Sequence, residues 1–514
     1  MTGSEMSLPW LTILAAAPLL GAVIVMLLSR GRELPKQVAF AISAAVLGLS
    51  IVVAVQYDVD GGFQFVESYS WIESFGANYA VGLDGLGLAL VLLTTILTPV
   101  VILASWNDAD DGRWSTNSFF AWMLALEGLA IGVFVATDVF LFYVLFEATL
   151  IPIYFLIGGF GGARRSYAAI KFLLFSLFGG LLMLASVVGL YVVSADSASG
   201  PSYLLQDLMA ADMSQSTERL LFLGFFIAFA VKAPMWPLHT WLPDAASEAT
   251  PGTSVLLVSV LDKIGTFGMM RFCLGIFPEA SQWATPVVIA LAVFSVLYGA
   301  VLAIGQNDIR RLIAYTSVSH FGFIVLGIFV LNSQGQVGSV LYMFNHGLST
   351  AALFLITGFL ISRRGSKMIS DFGGVEKSAP ILAGVFLVAG LSSLSLPGLS
   401  PFVSEFLVLA GTFTKSITAA VIATMGIVLA AIYILLMYQR TMTGPTRPEV
   451  AGMRDLNLRE ISALAPLLVL IVVLGFYPRP LTSIINPAVG DTLQQLGVTD
   501  PQPDVPGVAT ADQT

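Results

Sequence analysis

The chain has 514 residues, 57% of them hydrophobic and 11% charged, with a formal net charge of −9 and a mean hydropathy of +0.88. A water-soluble domain carries about 25% charged residues, so the composition excludes a soluble globular protein and predicts an all-α polytopic membrane protein organised by the bilayer. The acidic balance argues against nucleic acid as a partner, and the single cysteine, Cys273, excludes an internal disulfide and a cysteine-ligated iron–sulfur cluster.

A helix of about 20 apolar residues crosses the hydrocarbon core, and runs of that kind predict about 14 transmembrane helices. They lie near residues 8–29, 37–56, 82–105, 117–136, 138–158, 166–194, 219–243, 253–275, 284–305, 308–331, 336–362, 379–412, 416–440 and 460–485. The first, Leu8 to Leu28, is too long for the apolar core of a secretory signal and no small-residue cleavage site follows it. Basic residues gather in alternate loops: Arg30, Arg32 and Lys36; Arg113; Arg164 and Arg165; Arg310 and Arg311; Arg363, Arg364, Lys367 and Lys377; then Arg440, Arg447, Arg454 and Arg459. The intervening segments are acidic or neutral, with Asp58, Asp60, Glu67 and Glu73 in one and Asp196, Asp207 and Asp212 in another. Basic loops stay on the cytoplasmic side, so both termini are expected outside. After Pro487 come Asp491, Asp500, Asp504 and Asp512 without a basic residue.

Span 7 contains Pro234 and Pro237, and span 12 contains Pro397, Gly398 and Pro401. Each proline removes a backbone donor, which a membrane tolerates only where the chain is enclosed by protein or lines a wet cavity. Two such breaks at matching positions signal structural repeats. The offset of five helices reverses the second unit, so spans 4–8 and 9–13 are expected as inverted five-helix repeats with spans 7 and 12 discontinuous. The expected organisation is residues 1–115 for spans 1–3, 116–275 and 284–440 for the repeats, 441–487 for span 14, and 488–514 as a flexible acidic tail.

Glu147, Lys232, Lys263 and Glu405 all fall inside apolar runs, where an ionised group costs at least about 2.5–3.5 kcal/mol. The default reading is a charge path through the membrane. Glu147 in span 5 and Lys232 at the break of span 7 are natural partners, because a carboxylate that approaches or leaves a dry lysine switches it between holding and releasing a proton. Asp262 precedes Lys263, but successive helical residues point about 100° apart. Lys263 is thus expected on the central path, and Asp262 reads more simply as a structural contact to another helix. His320 and His346, in spans 10 and 11 among Ser317, Ser319, Asn345, Ser349 and Thr350, suit a proton relay. His239, just past the break in span 7, and Lys171 in span 6 are further candidates, Lys171 as a link from Glu147's neighbourhood to the Arg164–Arg165 turn. Glu127 is an intermediate case, and Asp84 and Asp138 read as caps or anchors at helix ends.

No GxGxxG opens a βαβ unit, and Gly158–Arg165 (GGFGGARR) lacks the lysine ending of a phosphate-binding loop, so it reads as a turn. With three histidines and no HExxH, a metal site is not expected. The chain shows no means of handling electrons or nucleotides, so the driving energy must come from a partner or an ion gradient.

The segments VKAPMWPLHTWLPDAASEATPGTSVLLVSVLDKIGTFGMMRF, DVFLFYVLFEATLIPIYFLIG, DIRRLIAYTSVSHFGFIVLG, YMFNHGLSTAALFLITG and LPGLSPFVSEFLVLAGTF resemble, in order, the signatures of the antiporter-like membrane subunits of respiratory complex I, the proton-pumping NADH:quinone oxidoreductase. Mrp-type sodium/proton antiporter subunits and membrane-bound hydrogenases share the fold. Within the family the chain is most similar to the M (chain 4-type) branch: the length fits, span 12 carries Glu405 where sister subunits carry lysine, and no long lateral helix follows span 14. The resemblance implies an ion pair of Glu147 and Lys232, a central relay at Lys263 and an outlet at Glu405, with Asp262 outside the pattern. It implies no cofactor in this chain, with FMN, iron–sulfur clusters and quinone in partner subunits. The implied partners are sister antiporter-like subunits on both sides and the lateral helix of subunit L, in a bacterial inner membrane.

Overall fold

The computed structural model describes residues 8–29, 33–110, 114–195 and 200–500. Arg30, Arg32, Arg113, Asp196, Asp504, Asp512 and the rest of the tail from 501 lie outside the described residues.

Helices α1 (Trp10–Leu27) and α2 (Glu33–Gln56) lead into an antiparallel hairpin, β1 (Gln64–Ile72) and β2 (Ala77–Leu83). Then follow α3 (Gly85–Ala104), α4 (Thr116–Val135), α5 (Val139–Ala148) and α6 (Leu150–Phe160), α7 (Arg165–Ser194), and the short α8 (Leu205–Met209). Span 7 is built from α9 (Gln215–Lys232) and α10 (Trp241–Glu248). Span 8 runs through α11 (Pro251–Val255), a π-helical stretch Leu256–Leu261, α12 (Lys263–Gly268) and a second π-helical stretch Met269–Leu274. The second half comprises α13 (Pro278–Ile304), α14 (Ile309–Phe329), α15 (Ser333–Arg364), α16 (Pro380–Ser393), α17 (Ser400–Lys415), α18 (Ile417–Met442), α19 (Leu458–Phe476) and α20 (Arg479–Gln495). Among the described residues, twelve helical stretches are long and apolar enough to cross a membrane. The α9–α10 and α16–α17 pairs supply the two broken spans. Span 8, α14 and α15 are almost wholly enclosed by the rest of the protein, with 100%, 94% and 94% of their apolar windows buried, as expected of helices at the centre of a bundle.

Both breaks are satisfied from within the protein. The Trp241 indole donates to Val231 O at 2.9 Å, and the Trp236 N–H to Ser295 Oγ at 2.9 Å. In span 12 the Asn345 amide donates to Ser400 O at 2.9 Å. Thus backbone groups at the breaks find partners within span 7 and on α13 and α15, as a membrane requires.

The repeat is visible in its corners. Asp138 caps α5 by accepting from the N–H groups of Phe140 and Leu141, and Asp308 caps α14 by accepting from those of Arg310 and Arg311. Beside the first cap, Val139 N–H donates to Tyr203 O (2.8 Å) and Leu205 N–H to Thr137 O (2.9 Å). Beside the second, Ile309 N–H donates to Lys367 O (3.0 Å) and Ile369 N–H to Asn307 O (2.7 Å). Ser202 donates to Asp207, and Ser366 to Asp371, in the same places. Five spans separate the two corners, so they lie at opposite membrane faces and the units are inverted.

Three features depart from the expected pattern. The chain is not purely helical, since residues 64–83 form the β-hairpin, whose Glu67 accepts from the Leu11 N–H at 2.9 Å and anchors the start of α1. Span 5 is interrupted at Thr149, two residues after Glu147. The segment from 488 does not begin as a flexible tail: α20 continues to Gln495, burying Leu481, Ile485, Val489 and Leu493 at four-residue spacing, a regular amphipathic stripe.

Candidate functional site

Glu147 sits near the end of α5, facing α7. Gly180 of α7 makes room for it: a methyl group there would overlap Glu147 Oε1 and stand 2.6 Å from Cδ. The neighbouring Gly179 lets α7 approach α9, where a methyl would come within 3.0 Å of the Ala228 Cα. Lys232 is the last residue of α9, carried to the break and fully buried, with no hydrogen-bond partner for its ammonium. The nitrogen lies 4.7 Å from the centre of the Phe146 ring and 5.8 Å from that of Phe172, positions where ring faces attract a cation. Glu147 and Lys232 are within electrostatic reach of each other, but not in hydrogen-bond contact. The arrangement is an open pair.

Lys263 opens α12 and is fully buried. Its ammonium nitrogen donates to Val258 O at 2.8 Å and lies 2.7 Å from His346 Nδ1. Val258 lies within the π-helical stretch Leu256–Leu261. The ring of His346 on α15 meets that of His320 on α14 edge-on, with centroids 5.2 Å apart, and Tyr342 flanks His320 at 5.8 Å. Ser395, in the break of span 12, neighbours both Tyr342 and Glu405. Glu405 on α17 is buried and lines a cavity of about 240 Å³ with Ser395, Pro397, Phe402 and Phe406. The structure therefore groups Lys263, His346 and His320 across spans 8, 11 and 10, and Tyr342 and Ser395 connect that group to Glu405 of span 12. Every member can accept or release a proton.

Two candidates fall elsewhere. The Lys171 ammonium pairs with Asp244 Oδ2 at 2.7 Å, and Arg311 holds the other oxygen at 2.5 Å. Lys171 stands nine residues from Gly180, about 13.5 Å along the helix, and its ammonium is engaged by Asp244. His239 lies in the span 7 break with its ring against Tyr298 and Tyr315. Glu127 is buried on α4 with neither oxygen hydrogen-bonded. Asp84 caps α3 through the Gly87 N–H and forms a two-pronged pair with Arg271, and Asp138 is likewise a cap. Gly180, Tyr342 and Ser395 were not singled out by sequence reasoning. The Gly179–Gly180 pair inside an apolar span was the available signal, since small residues mark close helix approach in membranes. Among the described residues no group of three or more His, Cys, Asp or Glu side chains is placed to hold a metal ion.

Residues 136–431, covering spans 5–12 and most of span 13, match the family described as NADH:quinone oxidoreductase/Mrp antiporter, TM. The chain is 51% identical to NADH-quinone oxidoreductase subunit M of Mycobacterium tuberculosis, covering 97% of this chain and 96% of that protein. It is 37% identical to the subunit M of Rhodobacter capsulatus, covering 94% and 96%. Its structure is similar to a chain of respiratory complex I from Thermus thermophilus, with a TM-score of 0.87 and 30% identity over 95% of this chain and 100% of that one. A chain of the Mrp complex from Dietzia sp. shares the fold at a TM-score of 0.85 and 20% identity, over 95% and 99%. With the broken spans, the inverted corners and the buried ionisable row, these similarities place the chain: it belongs to the NADH:quinone oxidoreductase/Mrp antiporter transmembrane family.

Proposed function

We propose that the chain is the M-type proton-translocating membrane subunit of an NADH:quinone oxidoreductase. Electron transfer from NADH to quinone takes place in partner subunits that hold the FMN, iron–sulfur clusters and quinone. This chain moves protons along Glu147, Lys232, Lys263, His346, His320 and Glu405. The observation that carries the reading is this row of buried ionisable side chains spanning both repeats, with each broken span contributing one of them. Bringing a carboxylate up to a buried ammonium favours the charged amine, and withdrawing it favours proton release. Movement of Glu147 relative to Lys232 thus passes a change of charge toward Lys263. The contact between Lys263 and His346 then couples the first repeat to the second. Sister antiporter-like subunits flank the chain on both sides, and the lateral helix of subunit L runs along it. The basic loops around Arg164, Arg310 and Arg363 face the cytoplasm, which puts the hairpin, α20 and both termini on the outer side of a bacterial inner membrane.

The family description also admits a cation/proton antiporter of the Mrp type. The identity to subunit M proteins favours the oxidoreductase, because the Mrp likeness is one of fold. Inverted membrane vesicles containing the assembled complex distinguish them. NADH-driven proton uptake that is independent of sodium supports the reading. Sodium-dependent proton exchange without NADH oxidation contradicts it.

A further inference from the structure

Asp262 is a buried ionisable residue beside Lys263 that the row leaves unused. It is fully buried, and neither of its oxygens has a hydrogen-bond partner. A carboxylate so placed is costly unless a charge compensates it, and two lysines, Lys263 and Lys232, lie within its electrostatic reach. The packing of span 8 explains how it serves both. Gly265 and Gly268 form the face of α12 that presses on the end of α9. A methyl on Gly265 would fall 2.5 Å from Ala233 N and 2.6 Å from Phe229 O, and one on Gly268 would overlap the Phe229 ring. Asp262 stands one turn before Gly265 on that side of the helix, toward the break that carries Lys232. Lys263, turned about 100° from it, reaches to His346 on a different side of the helix. The π-helical stretch sets this division. Asp262 N–H donates to Leu257 O, five residues back, at 3.0 Å. The extra residue rotates everything after it by about 100°, and without it Asp262 would point where Lys263 does.

We propose that Asp262 is a proton-carrying residue that links Lys232 to Lys263 between the first broken span and the centre of the chain; this rests on the proton-translocation reading above. The Lys232 ammonium gives its proton to the Asp262 carboxylate, leaving a neutral amine and a neutral carboxylic acid. The acid then gives that proton to a neutral Lys263 amine, which restores the carboxylate and creates an ammonium beside His346. No charge is left uncompensated at either stage. Rotation of the Lys232 side chain, or an intervening water, closes the gap that now separates it from Asp262.

The test uses the complete complex in inverted vesicles, with Asp262→Asn, Asp262→Glu and Glu147→Gln scored for assembly, NADH:quinone turnover, proton uptake per electron and the pH profile of pumping. Asp262→Asn preserves shape and removes the acid. It is expected to assemble and to lose proton uptake by about tenfold or more, below the usual effect of deleting a proton-transfer group. Asp262→Glu is expected to restore most of it with a displaced pH profile. Normal uptake and pH profile in Asp262→Asn, with loss in Glu147→Gln, overturns the role of Asp262 and leaves the broader reading standing. Normal uptake in both overturns both. If Asp262→Asn does not assemble, Asp262→Glu decides: a displaced pH profile supports the carrier role, and an unchanged one shows a structural role instead.

Discussion

Gly180 offers a way to disturb Glu147 without touching any ionisable group. Substituting alanine puts a methyl carbon on top of Glu147 Oε1 and 2.6 Å from Cδ. Carbon contacts are comfortable at about 3.5–4.0 Å, so the carboxylate must withdraw by about 1 Å or more. The obstacle is the far end of a flexible side chain, which can swing aside, so the helices need not separate. Alanine in place of glycine inside a helix favours the helix by about 0.5–1 kcal/mol, so assembly is expected to hold. Misplacing a reacting group by about 1 Å costs up to about a hundredfold, and proton uptake is expected to fall on that scale. Gly179→Ala is the contrast. Its methyl meets the Ala228 backbone at 3.0 Å, which gives way only if α7 and α9 move apart, so assembly suffers first. The assay is NADH-driven proton uptake in inverted vesicles, normalised to the amount of assembled complex. Wild-type uptake in Gly180→Ala would refute the reasoning that Glu147's position controls transfer.

Trp241→Phe removes the donor to Val231 O and leaves a carbonyl unpaired in the span 7 break; a loss of about 1–3 kcal/mol is expected, seen as a lower dissociation temperature of the complex. Arg271→Met strips Asp84 of its buried partner, with an expected cost of about 3 kcal/mol; the complexes that do assemble should pump with normal uptake per electron, because this pair lies off the row. Lys171→Ala breaks one part of a partly exposed ion-pair network and should cost no more than about 1 kcal/mol. It should leave uptake per electron unchanged, and a collapse matching that of Lys232→Ala would return Lys171 to the path.

Much of the fold could be read from the chain because a bilayer imposes simple rules. Apolar runs of helical length located the spans, and Pro234, Pro237, Pro397 and Pro401 located both breaks. The repeat was inferred from those breaks alone. Its corners carry a plainer signature, Thr137–Asp138 against Asn307–Asp308 and Ser202 with Asp207 against Ser366 with Asp371, which shows only when matched segments are set side by side. The hairpin was passed over as an acidic loop, although Tyr69, Trp71 and Ile72 between Gly62 and Gly76 are strand-forming residues between turn residues. The α20 stripe was hidden by Pro487 and the nearby aspartates. Intramembrane lysines and glutamates announce themselves by their cost, so Glu147, Lys232, Lys263 and Glu405 stood out at once. The pairing of Lys171 did not, because Asp244, which Arg311 also holds, reaches it from another helix. The fit between Gly180 and Glu147 is likewise invisible along the chain, since a glycine's use depends on what the neighbouring helix places against it.

Proton uptake in inverted vesicles carrying Glu147→Ala, scored beside NADH:quinone turnover and the amount of assembled complex, tests the central claim most directly. The account predicts that uptake and coupled turnover collapse while assembly persists. Normal uptake and turnover in the assembled variant would contradict it and make the chain a membrane scaffold.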